Sequence, residues 1–318
     1  VFYILSERRE LMQRKLGSKR MDSIKLLLMI LPFLVLVFVF SYLPLAGWRY
    51  AFYNYRPGFP LDKCQYVGFK WFVRLVNTPA QTTEILRVLK NTLGMSALNM
   101  LASIMPMIFA IQLSQVRSKR YYKLIQVCAT LPNFISWVLV FSVAFALFSV
   151  DTGFVNRALI SLNVIDKGVN FLADGHHMWL KMTMWQLWKS MGWNSILYLA
   201  AIAGIDQELY EAAQVDGASR IQQIMHITVP GLMPTFFVLL MLSIGNFINT
   251  GMESYFVFQN PMNKDTIEVL DLYVYNIGMV NRNFSLATAI GMLKSLVSVV
   301  LLMSANFASK LVRGESLM

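Results

Sequence analysis

The chain has 318 residues, 56% hydrophobic and only 14% charged, with a mean hydropathy of +0.52. A soluble domain carries about 25% charged residues, so this composition excludes a pair of ordinary soluble domains and points to a polytopic membrane protein. The net charge of +11 reads as membrane-flanking charge rather than a nucleic-acid footprint, because much of it borders apolar runs.

A bilayer core of roughly 30 Å takes about 20 helical residues. In chain order the sequence predicts six spans, at about 26–48, 92–116, 124–150, 182–205, 229–252 and 285–309. The expected fold is all-α and integral to the membrane, with a transmembrane body over 26–312, since nothing alternates like barrel strands. The first apolar run is too long for the core of a cleaved signal and is read as a retained span. A basic segment, 1–25, precedes it with Arg8, Arg9, Arg14, Lys15, Lys19, Arg20 and Lys25. Arg117, Lys119, Arg120 and Lys123 lie between spans two and three, and Lys310 and Arg313 follow span six, Arg313 opening the tail 313–318. These three sets fall on one side, expected to be the cytoplasm, which places both termini there. Arg87 and Lys90, near the end of an outer loop at 49–91, break the rule. The other outer loops are 151–181 and 253–284. Apolar Ile267, Leu270, Val274 and Ile277 have helical spacing, predicting a short amphipathic helix lying on the outer surface. Of the two cysteines, Cys64 falls in a polar loop and Cys128 in an apolar run, so neither a disulfide nor a metal site is expected.

The segment 206–228, between spans four and five, is polar and helix-forming with a glycine break. Asp206 caps a helix through Leu209, Tyr210, Ala212 and Ala213. Gly217 ends it. A second short helix is expected from about Ala218 to Ile227, and Pro230 fits the first turn of span five. The result is an elbow held by two spans. Small Ala212 and Ala213 allow close approach of a partner, and Glu211 offers an exposed charge. His226 reads as a helix-end surface histidine, because no ionisable partner for a proton relay lies near it in a span.

Glu211-Ala-Ala, then Asp216-Gly217-Ala218, Ile227-Thr-Val-Pro230 and Pro234 resemble the EAA loop of ABC importer permeases. The likeness extends from about Ile24 to Leu311. It is greatest to the MalF-type sugar permeases and their LplB-like branch, with Tyr66-Val-Gly-Phe-Lys-Trp-Phe, Gln259-Asn-Pro, Tyr273-Val-Tyr-Asn-Ile-Gly and Ala289-Ile-Gly-Met-Leu-Lys-Ser in support. This chain departs from the family at Ile224-Met225, where an aromatic pair is common, and at Val229, where leucine is. The resemblance implies a type I importer transmembrane domain whose coupling helices sit on ATPase subunits, with Glu211, Ala212, Ala213, Asp216, Gly217, Ala218 and Pro230 as the coupling residues. It implies a heterodimer with a second related permease, two ATPase subunits holding ATP and Mg, and an extracytoplasmic solute-binding protein. Membrane lipid surrounds the chain, and no nucleic acid is involved. The chain itself is expected to bind no cofactor and to perform no bond chemistry. It has no phosphate loop, no paired catalytic carboxylates and no metal spacing.

Polar residues inside spans mark an interior face or pathway. Span five carries Ser243, Asn246, Asn249 and Thr250, whose spacing predicts one helical face. Span four carries Trp185, Gln186, Trp188, Ser190, Trp193 and Asn194. Amides and indoles suit a sugar, and maltose-type permeases line their site with these two helices. Helix–helix hydrogen bonding and interfacial tryptophan belts are the bland readings of the same residues. Asn133 and Trp137 in span three are further candidates. Lys189 and Lys294 are cations inside spans. They pair with Glu253 or a partner chain's carboxylate, snorkel outward, or face a wet cavity that attracts an acidic oligosaccharide such as the alginate type that some LplB-like permeases carry. The rivals are an ion-coupled secondary transporter, which needs intramembrane carboxylates or an inverted repeat, and a membrane-bound synthase or transferase. No Asp or Glu falls within any of the six expected spans.

Overall fold

The computed structural model describes residues 24–313, so most of the basic segment 1–25 and the tail beyond 313 lie outside the described residues. The chain is helical, with one isolated bridge between Tyr53 and Tyr66. Helix α1, Ile24–Phe52, is apolar all round and exposed over residues 24–46. It tightens into 3-10 geometry over Leu43–Phe52, where Pro44 starts a new turn. The second expected span begins earlier than the sequence suggests. It follows a short helix α2 (Lys70–Asn77) and runs as α3 (Pro79–Ala102) and α4 (Met105–Ser114), together Pro79–Ser114. Pro79 and Pro106 each sit in a first turn, where the missing N–H costs least.

The third expected span is not one rod. Helix α5 (Lys119–Thr130) passes through a 3-10 turn at Leu131–Phe134, and α6 (Trp137–Phe148) then leaves at 109°. Pro132 removes an amide donor at the break, and the Ser136 hydroxyl restarts the helix by accepting the Leu139 N–H at 3.4 Å. Helix α7 (Phe154–Ser161) follows.

Helix α8, Met178–Ala203, is the packing centre, touching α3, α4, α5 and α11 (Val229–Gly245). By length and composition, four helices among the described residues qualify as membrane spans, or five if the bent pair counts as one. Helix α8 is not among the four. It is long enough, but Lys181, Gln186, Lys189 and Asn194 lower its hydropathy, and the first three of these side chains donate to protein partners. The fit is tight. A Cβ on Gly192 would stand 2.2 Å from the Ala129 carbonyl carbon and oxygen. Gly192→Ala therefore must push α8 from α5, and a loss of about 1–3 kcal/mol of stability is expected, read as a lower melting temperature of the detergent-purified protein.

The third outer loop folds inward, which corrects the expected surface helix. Along helices α12 (Glu253–Phe258), α13 (Lys264–Ile267) and α14 (Leu270–Tyr275), Ile267, Val269 and Leu272 are buried with Met95, Val140 and Tyr255 in one core, and Leu270 with Val88 and Ile290 in another. Long-range side-chain hydrogen bonds fix the insertion. Asn91 Nδ2 donates to the Asp265 and Glu268 carbonyls at 2.9 and 3.1 Å, and Thr92 Oγ1 accepts the Leu270 N–H at 2.8 Å. Arg87 pairs with Asp265 and, at 2.9 Å, with Glu268, whose side chain is 2% exposed. The two basic residues that broke the charge rule are thus partly explained: Arg87 is an internal counter-ion. Helix α15 (Phe284–Arg313) closes the body against α1, α11 and α14.

Candidate functional site

The elbow is built much as its residues dictate. Helix α9, Gln207–Val215, starts where Asp206 Oδ1 accepts the Glu208 N–H at 3.0 Å. It stops in a Schellman motif. Gly217, at φ +77°, donates to the Gln214 carbonyl at 3.1 Å, and Ala218 donates to the Ala213 carbonyl at 2.9 Å. Ser219 and Gln222 then form a reciprocal capping box for α10, Arg220–Gln223. The separate second helix expected over 218–227 is instead continuous with span five. A π-turn at Ile224–Thr228 carries α10 directly into α11, making one rod, Arg220–Gly245. Pro230 sits in the first turn of α11. The Tyr210 and Thr228 hydroxyls lie 2.9 Å apart and tie α9 to that rod.

Nothing on α9 is buried. Leu209, Val215, Ile221 and Met225 are exposed apolar side chains on this polar segment, Val215 at 88%. Glu211, Ala212, Asp216 and Gly217 are also exposed, and Ala213 and Ala218 are half-buried. His226 is exposed, with Nδ1 3.0 Å from the Gln222 carbonyl.

The second feature is a polar cleft of about 290 Å³ between α3, α8 and the end of α11. Gln186, Ser190, Asn194, Ser243, Asn246, Asn249 and Thr250 all line it. They do not share one helical face, however. Helix α11 ends at Gly245, and 246–252 is unwound, with Gly251 at φ +74°. The Asn246 side chain caps the helix by donating to the Leu242 carbonyl at 3.1 Å, and the Asn249 N–H donates to the Asn246 carbonyl at 2.9 Å. Gln186 is fixed by donating to the Tyr255 hydroxyl at 2.9 Å. Sequence reasoning missed the third wall, Ser96 and Asn99 of α3 and Ser103 just beyond its end. Their spacing of three and four inside an apolar run was the available signal. The Ser96 hydroxyl is buried and lacks a hydrogen-bond partner.

Two cavities adjoin the cleft. One, of about 600 Å³, shares Gln186, Ser190 and Thr250 with it and adds Asn133, Trp137, Lys189 and Glu253. The other, of about 490 Å³, shares Asn249 and contains Lys294 and Asp271. Lys294 pairs with Asp271, whose second oxygen accepts the Gly251 N–H at 2.9 Å. Of the alternatives considered for Lys294, a carboxylate pair is present, but with Asp271 of the inward-folded loop rather than with Glu253. Trp193 lies outside all three cavities, edge-on to Phe134 at 5.7 Å.

A helical body with a capped, exposed elbow and a polar internal cleft suits a transport protein, and the proteins similar to this chain agree. Residues 102–313 match the family model of the binding-protein-dependent transport system inner membrane component. The chain belongs to that family. This permease is 38% identical to protein LplB of Bacillus subtilis (strain 168) over 293 residues, 92% of this chain and 90% of the relative. It is 36% identical to the polygalacturonan/rhamnogalacturonan transport system permease protein YteP of the same organism, over 94% of this chain and 91% of the relative. Among solved structures, the permease is similar to a bacterial ABC transporter involved in the import of the acidic polysaccharide alginate. The TM-score is 0.83 at 33% identity, covering 94% of this chain and 99% of that chain. A second structure of a bacterial alginate ABC transporter, in complex with alginate pentasaccharide-bound periplasmic protein, also matches with a TM-score of 0.83, at 32% identity.

Proposed function

We propose that this permease forms the translocation pathway of an ATP-driven importer for an oligosaccharide, and specifically an acidic one. The observation that carries the reading is the polar cleft joined by continuous helix to the elbow. Helix α11 lines the cleft at one end and is one rod with α10 at the other. Helix α8 contributes the opposite wall and leads into α9. The names of the relatives and solved structures support the substrate class, since alginate and polygalacturonan are polymers of uronic acids.

The chain crosses the membrane six times, with α8 as the central span and with both termini and the elbow in the cytoplasm. A second related permease completes the pathway, two ATPase subunits holding ATP and Mg dock on the elbows, and an extracytoplasmic binding protein delivers substrate. The exposed Leu209, Val215 and Ile221 give the ATPase an apolar seat, and Glu211 gives it a charge to hold. Loaded binding protein and ATP together favour an outward-open state, and hydrolysis restores the inward-open one. The chain's part is mechanical and selective, and nucleotide chemistry belongs to the ATPases.

Filling the cleft tests the pathway. Ser190→Trp in the importer reconstituted with its ATPases, second permease and binding protein should reduce oligosaccharide uptake to background while the complex still assembles and hydrolyses ATP. Wild-type uptake that continues without any ATPase would instead support the gradient-driven rival.

A further inference from the structure

The two intramembrane lysines are not equivalent. Lys294 is committed: Asp271 neutralises it, and the same carboxylate holds the unwound end of α11 through Gly251. Among the described residues the ion pairs are Arg87 with Asp265 and Glu268, and Lys294 with Asp271. Lys189 is in none of them. Its ammonium donates to the carbonyls of Asn133 at 2.8 Å and Pro132 at 3.4 Å, and stands 5.6 Å from the centre of the Trp137 ring. These contacts orient a cation without cancelling its charge. They also arise from the break between α5 and α6, where the 3-10 turn turns its carbonyls toward α8. Across the same cavity lies Glu253, exposed and beyond ion-pair distance. The cavity opens onto the polar cleft through shared Gln186, Ser190 and Thr250.

We infer that Lys189 is the residue of this chain that selects for substrate carboxylate, with Asn133, Pro132 and Trp137 holding it in position and the amides of the adjoining cleft taking the sugar hydroxyls. The inference rests on the acidic-oligosaccharide reading above. Its physical basis is that an ammonium held by neutral groups, with the exposed Glu253 acting on it only from beyond ion-pair distance, lowers the free energy of a bound carboxylate far more than that of a hydroxyl. Lys294 has no such differential to offer, because binding a substrate carboxylate there requires displacing Asp271 and leaving it unpaired.

The test uses the whole reconstituted importer. Initial uptake is measured for a galacturonate trisaccharide and for its carboxyl-reduced, neutral counterpart, each at a concentration that loads the binding protein. For each variant the rate is divided by the wild-type rate for the same substrate, so the binding protein's own preference cancels. Lys189→Met should lower the acidic ratio about tenfold more than the neutral ratio, the size of one charge-assisted hydrogen bond. Lys189→Arg should restore it, and Lys294→Met should depress both ratios alike. Equal loss of both substrates in Lys189→Met overturns the assignment, because a merely structural lysine would give that result. Stimulated ATP hydrolysis with no wild-type uptake of either trisaccharide would instead overturn the underlying substrate reading.

Discussion

Gly217→Pro is expected to abolish ATPase co-purification and ATP-driven uptake while leaving the membrane body folded. Proline fixes φ near −65°, whereas Gly217 sits at +77°. Its N–H to the Gln214 carbonyl is lost, and Asp216, in the right-handed helical region, is disfavoured before proline. The combined penalty is about 3 kcal/mol or more, and it falls on a turn that buries nothing and so has no packing to resist it. The elbow is therefore expected to open rather than the protein to unfold. Gly217→Ala separates geometry from sterics. An added Cβ there meets nothing within 4 Å, so only the left-handed backbone cost of about 1–2 kcal/mol remains, and partial coupling should survive. Gly58, at φ +90° in equally open space, supplies the control. Gly58→Ala carries the same local cost away from the elbow and should keep both co-purification and uptake. Unaltered uptake by Gly217→Pro would remove the lever role of this segment.

The largest stability loss is expected from Arg87→Met. Glu268 is 2% exposed and accepts from Arg87 at 2.9 Å and from Asn276 at 2.9 Å. Removing the guanidinium strands a carboxylate in the core, a cost of about 3–5 kcal/mol. The melting temperature of the purified permease should fall by roughly 10 °C. Arg87→Met combined with Glu268→Gln should recover much of the loss, because the amide still hydrogen-bonds Asn276 without a buried charge. Asp265, whose side chain is 84% exposed, shares the same guanidinium, yet Asp265→Asn should change stability far less. Equal effects for Arg87→Met and Asp265→Asn would show that burial does not govern this network.

Local signals were the readable part of the candidate site. Asp206, Gly217 and Pro230 are capping and turn residues whose roles depend on their nearest neighbours, and much of the elbow follows from them. The cleft was half legible. Gln186, Asn194, Ser243, Asn246 and Asn249 stand out as polar groups in apolar runs. Lys189 stands out too, and its cavity joins the cleft. Trp193 stood out equally and lies elsewhere, because a large side chain at a span position fits a pathway and a helix contact alike. Ser96, Asn99 and Ser103 were visible only as a small-polar face that several membrane helices share.

The sequence by itself determined that the chain is helical, that it is built for a membrane, where its elbow lies and which turns shape it, since apolar length, capping and charge flanking act over a few residues. Only the tertiary structure decided that 253–284 folds inward rather than lying on the surface, that 124–150 bends by 109°, and that α11 unwinds at 246. It alone decided that Asp271 pairs with Lys294 while Lys189 donates to backbone carbonyls at the α5–α6 break. The physical reason is range. Whether a carboxylate meets a lysine 23 residues away depends on which helices pack and which backbone groups remain unpaired. No window of sequence contains that balance.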